Sequence, residues 1–186
     1  GGSKLDDAAL GRFTERMRQE KLREIATRAF LRALRFVAEG GATLVPEASI
    51  EPVASLPELA SLERFEAAGP RATSRAVVIK LNGGLGTSMG LSKAKSLLPV
   101  RPGISFLDLI ARQVLHQRAR HKVDLPLVLM NSYRTRDDSL AALLVHPELE
   151  KQVPLDFVQH KVPRIDAESW RPVEWPADRS LEWGPP

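Results

Sequence analysis

The stretch of this chain best equipped for chemistry is "LNGGLGTSMG", Leu81–Gly90, with Lys93 and Lys95 close behind it. Glycine has no Cβ, so it admits positive φ and lets a ligand approach the main chain closely. Successive backbone N–H groups bared in this way form a concavity that holds an anion. The ammonium groups of Lys93 and Lys95 fall within reach of the same ligand. The expected guest is therefore a phosphate-bearing molecule, with Gly86, Thr87 and Lys93 as further phosphate contacts.

Two familiar phosphate motifs do not fit. A dinucleotide fingerprint needs G-x-G-x-x-G, but Met89 stands where the third glycine would follow Gly84 and Gly86. A Walker-type loop needs a lysine and a hydroxyl residue straight after its last glycine, and Gly90 is followed by Leu91 and Ser92. The four histidines, His116, His121, His146 and His160, show no metal-ligand spacing. Asp137 and Asp138 read as a helix start that complements the helix dipole, not as a cation site. No metal ligand is assigned. No G-x-S-x-G occurs, which leaves a serine hydrolase without a nucleophile elbow.

The elements that must position the glycine stretch are legible on either side of it. "AVVIKL", Ala76–Leu81, reads as a strand buried on both faces. Leu97–Val100 is a candidate short strand. Ser105–His116 reads as a helix, with Ser105 and Asp108 spaced as cap and return partner. "LPLVLM" (125–130) is a second buried strand. Thr135 and Asp138 open a further helix carrying Leu140, Leu143 and Leu144, and "PLDFVQ" (154–159) is a third strand. This alternation predicts crossover units and a mostly parallel sheet. Ligands in such sheets sit beyond the carboxyl ends of the strands, where Asn82–Gly90 lies.

Upstream, Leu5–Val37 reads as one long helix with an apolar stripe of Leu10, Phe13, Met17, Ile25, Phe30, Leu34 and Val37, stopped by Gly40 and Gly41. Pro46, Pro52 and Pro57 mark an irregular connector. "SLPE" (55–58) predicts a capped helix to about Ala67, ended by Gly69-Pro70. The expected division is a helical region, 1–70, followed by the first part of a nucleotide-binding domain, 71–186. The tail from Pro163 carries three Trp without a period, as a long functional loop or an interrupted segment.

Composition narrows the partners. The chain has 186 residues, 43% hydrophobic, enough for one good core. No apolar run reaches the roughly 18 residues of a membrane span, the N-terminus has no secretory h-region, and "GGS" at 1–3 reads as a cloning remnant. The absence of cysteine fits a reducing compartment, so a cytoplasmic location and no membrane partner are expected. The formal charge is +4, but acids interleave the basic residues from Arg12 to Glu24. That pattern describes solvated helix faces better than a nucleic-acid surface, so no nucleic-acid partner is expected, and it also suits a small phosphate ligand.

"KLNGGLGTSMGLSKAKS", Lys80–Ser96, closely resembles the signature of the eukaryotic-type UTP–glucose-1-phosphate uridylyltransferases, the UDP-glucose pyrophosphorylases. "FLDLI" (106–110), "PLVLMNSYRTRDD" (126–138) and "FVQHKVPRI" (157–165) look like later blocks of that family, in order. Related enzymes for N-acetylhexosamine phosphates usually carry arginine after the threonine; Ser88-Met89 here favours the glucose enzyme. The resemblance implies a Rossmann-like nucleotidyltransferase core preceded by a helical segment. It implies UTP and glucose 1-phosphate as substrates, UDP-glucose and pyrophosphate as products, and Mg2+ as cofactor. By the same resemblance, Leu81, Asn82, Gly83 and Gly84 bind the base and ribose through backbone. Lys95 is the catalytic lysine on the UTP phosphates, and Gln159 reads the uracil edge.

The pattern also departs from the family's. Lys93-Ala94 stand where the family usually has Gly-Pro, which implies a looser loop and a second phosphate contact at Lys93. The family continues beyond a Pro-Pro pair into a G-H-G-D block, a second lysine, a metal-binding aspartate and a β-rich domain. The chain thus resembles an N-terminal part, expected not to turn over alone. Two alternatives stay open: a related UDP-sugar or UDP-N-acetylhexosamine pyrophosphorylase, and a non-catalytic nucleotide- or nucleic-acid-binding module. The sequence leaves the oligomeric state open.

Overall fold

The structure, a computed structural model, describes residues 5–85, 93–150 and 153–185. The chain divides into two compact units, one of residues 1–54 with 160–186, the other of residues 55–159. In this division the tail groups with the N-terminal helices, and residues 55–70 group with the sheet.

In the first unit the expected single helix is two: α1, Asp7–Gln19, and α2, Glu24–Ala38. Asp6 caps α1 by accepting from the Ala9 N–H. The break falls at Lys21, whose φ is 56°. There the Leu22 N–H reaches back to the Met17 carbonyl and the Lys21 N–H to that of Arg18, a Schellman closure without glycine. An apolar stripe at helical spacing cannot show such a break, because the turn keeps both helices on one core. Phe13 and Phe30 meet across the turn with ring centroids 5.3 Å apart, among Leu5, Ala9, Leu10 and Leu34. Gly40, at φ 81°, ends α2 as expected, with the Gly41 N–H on the Phe36 carbonyl.

The tail is an interrupted segment. Strands β6, Val162–Pro163, and β7, Trp183–Gly184, pair antiparallel and are the last two strands among the described residues. Buried Glu182 accepts from the Trp175 N–H at 2.8 Å and pairs with Arg16 of α1 at 3.5 Å. Lys161 reaches Glu20 at 2.7 Å.

The second unit begins with exposed chain. Leu59–Ala68 is a 3-10 segment whose cap position, Glu58, makes no side-chain hydrogen bond, so the predicted capping box does not form. Gly69-Pro70 opens the short helix α3, Gly69–Thr73, and does not end one; proline's fixed φ suits a first turn. Next come β1, Val78–Asn82, the hairpin β2, Pro99–Arg101, and β3, Ile104–Ser105, then α4, Phe106–His121. The remaining elements are β4, Leu127–Asn131, α5, Arg136–Leu143, and β5, Asp156–Val158. The hairpin turns at Gly103, φ 73°, and the expected strand at 97–100 starts only at Pro99. The Ser105–Asp108 capping box forms as predicted, and α4 runs five residues further than expected.

The sheet is parallel, in the order β1-β4-β5. One face packs Val78, Leu127 and Leu129 against Leu107, Ala111 and Val114 of α4. On the other, Ile79 and Leu81 are 53% and 69% exposed. β1 is therefore not buried on both faces among the described residues: an unbroken apolar run records affinity for a core, not which face is covered.

Candidate active site

Two of the three strands, β1 and β4, end in an asparagine at the same level of the sheet, and β5 opens with an aspartate. Asn82 stands opposite Asn131, and Asp156 lies on β5 beside Leu129. A hydrogen-bonded chain links them. The Asn82 Nδ2 donates to Asn131 Oδ1 and Ser139 Oγ, both at 2.7 Å. The Asn131 Nδ2 donates to Asp156 Oδ2 at 3.1 Å, and Arg136 grips that carboxylate through Nε at 2.7 Å and a second nitrogen at 3.2 Å. This pairing holds the Arg136 proton more firmly than usual.

The chain has a fixed direction. A guanidinium only donates and a carboxylate only accepts. The Asn131 amide must therefore turn its NH2 to Asp156 and its oxygen to Asn82. The Asn82 NH2 is consumed in turn, so its oxygen faces Ser96, whose hydroxyl donates to it at 2.5 Å. Thr135 closes the cluster. Its hydroxyl donates to the Asn82 carbonyl at 2.6 Å and does not cap α5, a role the sequence suggested for it. Asn82, Ser96, Asn131, Thr135 and Ser139 are all buried. Asn82, expected on the ligand through its backbone, has its side chain and carbonyl engaged within the protein.

The glycines follow directly. Gly83 is not in a positive-φ conformation, and neither is Gly84. What Gly83 needs is space: a Cβ there would lie 2.6 Å from Gln159 Oε1 and 2.8 Å from Nε2. The Gln159 side-chain amide thus lies close against Gly83, while the Gln159 backbone N–H extends the ladder to the Asn131 carbonyl at 2.7 Å. A Cβ at Gly84 would meet nothing within 4 Å. Pleat and register put Leu81, Met130 and Phe157 on one face of the sheet, the face from which Gly83 and Gln159 continue.

Lys95 is tied to the same place from the other side of the glycine stretch. Its N–H donates to the Gly84 carbonyl at 3.3 Å, and Leu85 pairs with Ala94 in an isolated bridge. The Lys95 and Lys93 side chains are exposed. Lys80, half-buried, donates to the Leu81 carbonyl at 2.9 Å, and burial pushes its ammonium below the usual range. The structure therefore gathers Leu81, Asn82, Gly83, Gly84, Lys95 and Gln159 at one end of the sheet. Gly86 and Thr87 lie outside the described residues. Sequence reasoning missed Asn131, Ser96 and Ser139 as partners of Asn82. The available signal was an asparagine ending each of two apolar strands.

The sequence profile of one family, "UTP–glucose-1-phosphate uridylyltransferase", matches residues 28–186. The chain belongs to this family. A probable UTP–glucose-1-phosphate uridylyltransferase of Schizosaccharomyces pombe is 44% identical over 114 residues, 61% of this chain and 22% of that protein. The Solanum tuberosum enzyme is 36% identical over 138 residues, 73% and 28% of the two chains. Among solved structures, a UDP-glucose phosphorylase of Trypanosoma brucei superposes with TM-score 0.86 at 37% identity, over 97% of this chain and 39% of that one. A variant UDP-glucose pyrophosphorylase of Leishmania major, solved in complex with UDP-glucose, gives 0.87 at 35%, over 98% and 38%. The chain thus spans about a quarter of the length of the matched curated family members, and its fold is that of the solved pyrophosphorylases over the shared part.

Among the described residues no three His, Asp or Glu side chains gather as a metal site, and no helix there is long and apolar enough to cross a membrane.

Proposed function

We propose that this chain supplies the UTP-binding edge of an enzyme that makes UDP-glucose and pyrophosphate from UTP and glucose 1-phosphate. An oxygen of the sugar phosphate attacks the α-phosphorus of UTP in line. A new P–O bond forms, and the bond from that phosphorus to the bridging oxygen breaks as pyrophosphate leaves. Such chemistry asks for positioning and charge neutralisation, not a covalent nucleophile. Leu81, Met130 and Phe157 form an apolar floor for a flat base. The Gln159 amide, donor and acceptor in one group, complements a uracil edge. Lys95, with Lys93 beside it, faces the phosphates and offsets the charge that builds as pyrophosphate departs. No three of the described His, Asp and Glu side chains gather as a cation site; Mg2+ enters this proposal with the nucleotide's phosphates, and no step is drawn through it.

The observation that carries the reading is the Gln159 amide seated on Gly83 while the Lys95 N–H holds Gly84. Titration of UTP, uridine, GTP and ATP into wild type and Lys95→Ala, with and without magnesium, tests it. Wild type should prefer UTP. Lys95→Ala should lose about 10- to 100-fold in UTP affinity, the worth of a charge-assisted hydrogen bond, and keep its uridine affinity. Equal binding of all nucleotides would remove the base-reading role. Salt-dependent nucleic-acid binding without UTP preference would favour a non-catalytic module instead.

A further inference from the structure

We infer that Ser96 is a positioning residue, whose buried hydroxyl anchors Lys95 to the end of β1 and so sets where the lysine's charge meets a nucleotide's phosphates. The inference rests on the UTP-binding reading above. Lys95 stands in a 3-10 turn, Lys95–Leu97, between two buried neighbours, Ala94 at 1% and Ser96 at 7% exposure. Ala94 is bridged to Leu85. Ser96 is fixed by the 2.5 Å hydrogen bond to Asn82 Oδ1. The backbone of the exposed lysine is therefore pinned on both sides, while its long side chain stays outside.

The pin has a built-in polarity. The Arg136–Asp156 ion pair orients Asn131, Asn131 orients Asn82, and Asn82 can then offer Ser96 only an oxygen. Flipping the Asn82 amide would set NH2 against the Ser96 oxygen and oxygen against oxygen at Asn131. The serine hydroxyl has one good acceptor in one direction. A lysine side chain carries much rotamer entropy, so fixing its backbone lowers what phosphate binding must still order. No other described residue on this turn supplies a side-chain bond to β1.

Two readouts on wild type, Ser96→Ala and Ser96→Thr test this. The first is amide hydrogen exchange over Lys93–Leu98. It should quicken about 2- to 10-fold in Ser96→Ala, the factor that one hydrogen bond is worth, and stay near wild type in Ser96→Thr. The second is the ratio of UTP to uridine affinity, which should fall by a similar factor in Ser96→Ala alone. A structural role without positioning would lower both affinities together. Unchanged exchange in Ser96→Ala, or exchange as fast in Ser96→Thr as in Ser96→Ala, overturns the inference. If wild type binds uridine as well as UTP, the proposed function fails, and the exchange comparison still decides the anchor.

Discussion

Gly83→Ala separates the site from the fold. The added Cβ would fall 2.6 Å from Gln159 Oε1, 2.8 Å from Nε2 and 2.9 Å from Cδ, against an ordinary contact of 3.4 Å or more. The amide must retreat by about 0.8 Å from its seat. Nothing in the backbone obstructs the change, because Gly83 is not at positive φ and the obstacle is the far end of a flexible side chain. The stability cost should therefore stay below about 1 kcal/mol, a shift of about 2–4 °C in Tm for a chain of this size. The functional cost is larger. A displacement of that size takes a hydrogen bond from good geometry to poor. If the amide reads uracil through two bonds at about 0.5–1.5 kcal/mol each, UTP affinity falls about 5- to 100-fold. Affinity for inorganic pyrophosphate, which has no base, should not move. Calorimetric titration of UTP and pyrophosphate into wild type and Gly83→Ala, with a thermal melt of each, gives all three numbers. An unchanged UTP affinity would refute the role of Gln159. A Tm lowered by more than about 5 °C would show that Gly83 serves packing.

Lys21 and Lys122, both exposed, end α1 and α4 in the left-handed region at φ 56° and 53°. Lys21→Gly and Lys122→Gly should each stabilise by roughly 0.5–1 kcal/mol, and a lowered Tm in either melt would show that the lysine side chain holds something. Asp108 gives a pH signature. Burial pushes its carboxyl up, but the Ser105 N–H and hydroxyl and the His146 ring outweigh that and hold it below the ordinary range. A depressed carboxylate stabilises the fold above its unfolded value, near 4, and the gain is lost as pH falls through the lower folded value. The Tm advantage of wild type over Asp108→Asn should be full at pH 6 and shrink below about pH 4; a constant gap would mean that His146 and Ser105 do not select the ionised form.

The parallel sheet, the α4 capping box and the helix stop at Gly40 follow from local chemistry: apolar runs of strand length, a serine three residues before an aspartate, a glycine where φ turns positive. The Lys21 break was hidden because nothing in the side chains from Gln19 to Arg23 disfavours helix; the Schellman closure is made by backbone groups alone. The capping box expected at Ser55–Glu58 failed for the opposite reason. The local signal exists, but every residue from Leu59 to Ala68 is exposed, and a short helix without a packed face has little to hold it.

The candidate site divides along the same line. Glycines after a strand announce a ligand, and a motif identifies a family. Neither announces what the glycine is for. At Gly83 the sequence suggested backbone freedom, and the structure shows a surface kept bare for the side chain of Gln159, 76 residues further on. The Asn82–Asn131 contact likewise joins residues 49 apart, through a register that only the folded sheet defines. Asn82 is the more instructive of the two. As a motif residue it invites a role on the ligand, yet its side chain bonds Ser96, Asn131 and Ser139 inside the protein. On the proposed function it would act on the ligand at one remove, by holding the start of the glycine stretch and, through Ser96, the turn that carries Lys95. A polar side chain that is fully bonded beneath the proposed phosphate site sets where the binding groups stand, so its loss should show first in the placement of Lys95 and only then in the nucleotide.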